Sequence, residues 1–130
     1  MISSGQSAVL LVDEDDTFRA FALRALEAAG YVVLETASPM EALRVLDGRV
    51  HLDVLIVDLL MPHSAPHGLS LANMARSKRP GIGIVYVTDD PQAVPGEQIN
   101  PEETPLLLKP VAVETLCAAV AGMLGKRLAQ

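Results

Sequence analysis

Continuous apolar runs alternate along this chain with segments whose apolar positions recur at helical spacing. "AVLLVD" (8–13) and "LDVLIVD" (52–58) are unbroken and β-prone, the pattern of strands buried on both faces of a parallel sheet. Between them, "TFRAFALRALEAAG" (17–30) sets Phe18, Ala22, Leu26 and Ala29 on one face and closes at Gly30, a residue suited to end a helix. "YVVLETA" (31–37) predicts a second strand. "SPMEALRVLDG" (38–48) predicts a second helix, with Ser38 as N-cap, Pro39 at the first helical position and Glu41 completing a capping box. The alternation continues through a loop (59–68), a helix (69–78), a strand "GIVYVT" (83–88), a strand "LLLK" (106–109) and a last helix (113–129).

The segment "DPQAVPGEQINPEETP" (90–105) breaks the rhythm. Prolines at 91, 95, 101 and 105 leave room for little more than one helical turn, so a helix between the last two strands is short or distorted. The order of elements implies a doubly wound α/β fold on a five-stranded parallel sheet, with residues 1–130 forming one domain. Ligands of such sheets bind beyond the carboxyl ends of the strands, where the strand order switches.

Composition narrows the class. Half of the 130 residues are hydrophobic and a fifth are charged, which marks a globular chain and not a disordered one. The formal charge of -6 and the 3% aromatic content argue against nucleic acid as a partner, which needs a basic face or stacking platforms. One cysteine, Cys117, allows no internal disulfide and fits a reducing compartment; beside Leu116, Val120 and Leu124 its plainest role is packing. Met40, Met61, Met74 and Met123 read as fillers of core gaps. "MISSGQS" at the start lacks the basic and apolar regions of a signal peptide, and no apolar run reaches the roughly 18 residues of a membrane span. The expectation is a cytoplasmic protein with no membrane partner.

The residues that close the strands carry the chemistry. The first strand ends in Asp13 and Glu14, the third in Asp58, the fourth in Thr88 and the fifth in Lys109. Asp13 alone reads equally well as a cap of the next helix; the four endings together do not. Gathered carboxylates repel one another, and burying one without a partner is costly. A hard cation resolves this: Mg²⁺ takes oxygen ligands, keeps several waters, and needs only two or three carboxylates before it bridges to phosphate oxygens. Lys109 offers a mobile positive charge, and Thr88 a hydroxyl donor, for the remaining oxygens. Asp58 is then the candidate nucleophile, forming an acyl phosphate, in a setting that provides the positioning and charge neutralisation phosphoryl transfer requires.

Asp13 and Glu14 in "VDED", Asp58 in "LIVDLLMP", Thr88 in "VYVTDD" and Lys109-Pro110 in "LLLKP" together resemble the receiver domain of bacterial two-component response regulators, along essentially the whole chain. The resemblance implies a flavodoxin-like sheet of order 2-1-3-4-5. It implies Asp58 as phospho-acceptor from a histidine kinase or histidine phosphotransfer protein, with Mg²⁺ bound by Asp13, Glu14, Asp58 and the backbone carbonyl of Leu60. Thr88 would be the switch hydroxyl, Lys109 the phosphate-binding lysine, and the Lys109-Pro110 bond cis. Such a domain acts as an enzyme only on its own aspartate. It is a monomer or weak homodimer, stands alone or forms part of a larger regulator or hybrid kinase, and signals to a downstream protein. Asp15 and Asp16 then read as charges at the start of the first helix, with Asp16 as its N-cap.

The departures from the family concern output. Leu106 stands where receivers usually carry the aromatic switch residue, and Asp89 where the residue after the switch threonine is usually small. A carboxylate at 89 would repel an approaching phosphodonor. The loop after Asp58 is longer than the family's turn, and its His63 and His67, flanked by prolines, read as solvated residues and not as a metal pair. The proline-rich 90–105 segment occupies the region that rearranges in ordinary receivers. These departures support an alternative, a pseudo-receiver that serves as a protein-interaction scaffold without phosphorylation. A haloacid-dehalogenase-type phosphatase is a weaker alternative: "DEDDT" (13–17) nearly fits its opening motif, but Asp58 would have no role and no later acidic pair follows Lys109.

Overall fold

The computed structural model describes residues 5–62, 66–93, 99–100 and 102–128. Five strands, β1 (Ala8–Val12), β2 (Val32–Thr36), β3 (Val54–Asp58), β4 (Gly83–Thr88) and β5 (Leu106–Leu108), form one sheet in the order β2-β1-β3-β4-β5. All neighbouring pairs are parallel, with Leu34, Leu10, Leu55 and Ile84 in register across four strands. The order reverses between β1 and β3, which puts the switch point where Asp13 and Asp58 emerge.

Four helices, α1 (Asp16–Ala28), α2 (Pro39–Asp47), α3 (Gly68–Lys78) and α4 (Val113–Leu128), cover the two faces. β1, β3 and β4 are buried at every position, which explains their unbroken apolar runs. On one face Leu10, Leu55, Ile84 and Tyr86 pack with Leu46 of α2 and Leu71 and Ala75 of α3. On the other, Val9, Leu11, Ile56 and Val87 pack with Phe18, Ala22 and Leu26 of α1 and Leu116 and Val120 of α4. Each large aliphatic side chain so buried contributes roughly 1.5–3 kcal/mol.

The helix ends show how local sequence sets the geometry. Ser38 caps α2 by accepting the Glu41 N–H at 3.2 Å, and its hydroxyl meets Glu41 Oε1 at 3.3 Å. At α1 the structure corrects the expected cap. Asp15, not Asp16, is the N-cap: its Oδ1 accepts the N–H groups of Thr17 and Phe18. Asp16 already lies in the helix and pairs with Arg19. Gly30 follows the C-terminus with φ +98°, the left-handed conformation that favours glycine. Ala29, expected on the buried face, is the exposed C-cap, and Ala25 takes its place in the core.

Between β4 and β5 the described residues contain one 3-10 turn, Pro91–Ala93, and no α-helix. Ile99 is buried, and Lys126 of α4 donates to the carbonyls of Glu102 and Glu103 at 3.0 and 3.3 Å, which ties the return into β5 to the last helix. Met61 is buried and Met123 packs on Gly83, but Met40 and Met74 are exposed on α2 and α3, contrary to their expected role as fillers. Among the described residues no helix is long and apolar enough to cross a membrane.

Candidate functional site

The carboxyl edge of the sheet brings Asp13, Asp58 and Lys109 together. Asp13 directly follows β1 and is fully buried; its Oδ1 accepts the Asp15 N–H at 2.8 Å. Asp58 is the last residue of β3 and is 6% exposed, with its Oδ1 accepting the Leu60 N–H at 3.0 Å. Lys109 follows β5, where its own N–H bonds the Thr88 carbonyl at 2.8 Å. Its Nζ reaches 2.8 Å from Asp13 Oδ2 and 3.4 Å from Asp58 Oδ2, so one ammonium faces two carboxylates. The Lys109-Pro110 peptide bond is cis.

The balance of charge is unfavourable to two ionised acids. Burial first, and the facing Asp13 carboxylate second, push the Asp58 carboxyl up to about 7, against the pull of the Leu60 N–H and Lys109. For Lys109, burial works against the charge, but the pairings with Asp13 and Asp58 outweigh it and raise its pKa above the usual lysine value. Asp13 Oδ2 is buried and receives no aligned hydrogen bond, even from the ammonium beside it. A buried, incompletely satisfied carboxylate facing a second one fits a hard divalent cation. Among the described residues no three acid, imidazole or thiol side chains are already gathered as a metal cage; Asp13 and Asp58 are the two carboxyl groups that face each other.

The other residues singled out by sequence lie around this trio. Thr88, at the end of β4, is fully buried and its hydroxyl is engaged with Asp90, accepting the Asp90 N–H at 3.2 Å and donating to the Asp90 carbonyl at 3.3 Å. Leu60 directs its N–H at Asp58, and its side chain is exposed. Asp89 is exposed on the rim of a cleft of about 500 Å³ that has Phe18, Phe21, Pro110 and Val111 in its walls and reaches Lys109. Leu106 is half-buried and stands in register with Tyr86. His67 is exposed at the start of α3 with no side-chain cap bond; His63 lies outside the described residues.

Two contributors were not read from sequence. The Phe18 ring lies beneath Lys109, with Nζ 4.6 Å from its centre, so a residue read as core packing also supports the lysine by a cation–π contact. Arg19 donates to the main-chain oxygen of Asp13 at 2.8 Å. The helical period assigned Phe18 to the buried face, but no local signal says which strand end lies above it.

A doubly wound sheet with paired aspartates and a lysine at its switch point is the plan of a receiver, and this chain belongs to that family: the response regulator receiver domain profile matches residues 9–121. Family membership sets aside the phosphatase alternative. The chain is similar to the sensor kinase CckA of Brucella abortus (strain 2308), 31% identical over 128 residues, which are 95% of this chain and 13% of the kinase. It is also similar to the response regulator receiver protein CpdR of the same organism, 28% identical over 117 residues, covering 89% of this chain and 95% of CpdR. Among solved structures, a response regulator receiver protein from Sinorhizobium medicae WSM419 superposes with a TM-score of 0.86 at 25% identity, covering 96% of this chain and 99% of that one. The receiver domain of the hybrid histidine kinase CckA superposes with a TM-score of 0.71 at 29% identity, covering 91% and 99%. Receivers generally bind Mg²⁺ in such an acidic pocket.

Proposed function

We propose that this receiver is phosphorylated on Asp58 by a histidine kinase or a histidine phosphotransfer protein, and that the phosphoryl group alters a surface read by a downstream protein. The observation that supports this most is the convergence of Asp13, Asp58 and Lys109 at the carboxyl edge of the sheet. In the transfer, a carboxylate oxygen of Asp58 forms a bond to phosphorus as the phosphorus–nitrogen bond of the donor breaks. The electron pair stays on nitrogen, and the donor ring, protonated on its other nitrogen, leaves as neutral imidazole. Lys109 neutralises charge on the phosphoryl oxygens, and Thr88 donates to them once its hydroxyl leaves Asp90. Asp13 and Asp58 would hold Mg²⁺, with Glu14 and the Leu60 carbonyl around it. Bound there, the ion offsets the repulsion of the carboxylates and the charge of the phosphoryl group.

On this reading the chain is not an enzyme in the ordinary sense, since its catalysis is confined to its own Asp58. We place it in the cytoplasm, as one domain over residues 1–130 and as a monomer or weak homodimer. Leu106 and Asp89 favour the pseudo-receiver as the second reading. Intact mass after incubation with a small-molecule phosphodonor, with and without Mg²⁺ and beside Asp58→Asn, separates the two. A Mg²⁺-dependent gain of one phosphoryl group, absent in the variant, is expected. No gain in a folded protein would favour the scaffold.

A further inference from the structure

The turn that carries Asp13 and Glu14 is held from outside by Arg19. From α1 its Nη1 donates to the main-chain oxygen of Asp13 at 2.8 Å, its Nη2 to Asp16 Oδ1 at 2.7 Å, and its Nε to Glu35 Oε1 on β2 at 3.2 Å. The side chain is 15% exposed, so this is more than a loose surface pairing. Burial weakens the charge, yet the bonds to Asp16 and Glu35 more than restore it.

The carbonyl that Arg19 grips belongs to the peptide plane joining Asp13 to Glu14. Because that unit is planar, fixing the carbonyl direction fixes where the Glu14 backbone, and hence its side chain, departs from the turn. The remaining bonds of the turn act elsewhere. Asp13 Oδ1 takes the Asp15 N–H, and Asp15 Oδ1 takes the N–H groups of Thr17 and Phe18. Each orients a side chain or starts the helix. Arg19 links the Asp13–Glu14 peptide to α1 and β2 at once, which resists the splaying that four consecutive carboxylates would otherwise favour.

We propose that Arg19 is a positioning residue for the cation site: by bonding the main-chain oxygen of Asp13 it holds Asp13 and Glu14 in the orientation that receives Mg²⁺. The inference rests on the receiver reading above. Charge alone predicts the opposite effect. Removing a cation near an acidic site should tighten Mg²⁺ binding, so a loss of affinity on removing Arg19 reports geometry.

The test is calorimetric titration of the full chain with Mg²⁺ alone, comparing the unaltered protein with Arg19→Ala, Arg19→Lys and Arg24→Ala. Arg24 is exposed on α1 and controls for loss of positive charge. Arg19→Ala is expected to bind Mg²⁺ about tenfold more weakly, the scale of outer-shell changes at metal sites. Arg19→Lys should recover part of that, since an ammonium can reach the carbonyl but cannot bridge three partners. Arg24→Ala should not weaken binding. A merely structural Arg19 would lower the melting temperature and leave the affinity, measured well below it, unmoved or tighter. That result overturns the inference and leaves the receiver reading standing. No Mg²⁺ binding by the unaltered chain overturns both. Should Arg19→Ala fail to fold, Glu35→Asp keeps the charge but withdraws the carboxylate that anchors Arg19 on β2, and is expected to weaken Mg²⁺ binding severalfold; an unchanged affinity there overturns the inference.

Discussion

Gly68, the first residue of α3, packs directly on the backbone carbonyl of Asp58, so closely that a β-carbon at 68 would collide with that oxygen and stand 2.9 Å from the Leu59 Cα. Helix and phospho-acceptor strand therefore meet backbone to backbone. Neither partner is a flexible side chain that can step aside.

Gly68→Ala is accordingly expected to destabilise the protein by about 1–3 kcal/mol, the usual cost of forcing atoms into a packed interior. Because the relief must come from moving the end of β3 or the start of α3, labelling of Asp58 by a phosphodonor should slow as well. Urea denaturation and intact mass measure the two effects. Unchanged stability would mean that α3 can withdraw from Asp58 without cost.

Asp58→Asn should stabilise the metal-free protein at high pH. The Asp58 carboxyl is raised from 3.8 to about 7 in the folded state, so between those values the folded chain holds a proton that the unfolded chain releases. Stability of the unaltered protein then falls as pH rises through that window. An asparagine removes the charge and with it the penalty. The expected gain is on the order of 2 kcal/mol at pH 8, shrinking toward nothing below about pH 3, where both states are protonated. Denaturation in chelator across that range checks it, and a gain independent of pH would point to packing instead.

Much of this site was legible because a parallel sheet turns sequence position into spatial position. Asp13, Asp58 and Lys109 each close an apolar run, and strand ends of a doubly wound sheet share one edge. Boundaries were less legible: Leu52 is buried and apolar but precedes β3, whose start is fixed by Asp53 bonding both the N–H and the carbonyl of Ala8. The cap moved from Asp16 to Asp15 because adjacent aspartates are chemically alike and only backbone direction separates them. Least legible were long side chains that reach across elements. Arg79 lies beyond the end of α3, yet donates to the carbonyls of Leu46, Gly48 and Val50 around the end of α2 at 2.6–3.0 Å. Arg19 and Phe18 are of the same kind, since their partners are set by tertiary packing.

Asp89→Ala should speed labelling of Asp58 by an anionic small-molecule donor. The carboxylate stands exposed on the rim of the cleft that reaches Lys109. Two charges about 4 Å apart in water interact by about 1 kcal/mol, so the gain should be about two- to fivefold. It should fade as added salt screens the pair over a Debye length of about 10 Å at 0.1 M. Folding stability should be unaffected. Labelling rates at low and high salt provide the check; equal rates for the two proteins at low salt would mean that the donor does not pass Asp89.

In this chain the aromatic side chain stands on β4, at Tyr86, and a leucine stands beside it on β5, at 106. Tyr86 and Leu106 are register partners on β4 and β5, and both face the core shared with α3. Tyr86 is 1% exposed and already fills the interior beside them, while Leu106 is half-buried. An aromatic placed at 106 alone therefore has no space to enter. Leu106→Tyr should cost about 1–3 kcal/mol through overpacking or remain turned outward. Tyr86→Leu should cost a similar amount by leaving a void. The double exchange conserves volume and should cost less than the sum of the two, with a coupling of about 0.5–3 kcal/mol. Urea denaturation of the four proteins in the cycle measures it. Simple additivity would show that the two side chains do not share one space, and that the leucine at 106 is independent of the tyrosine on the neighbouring strand.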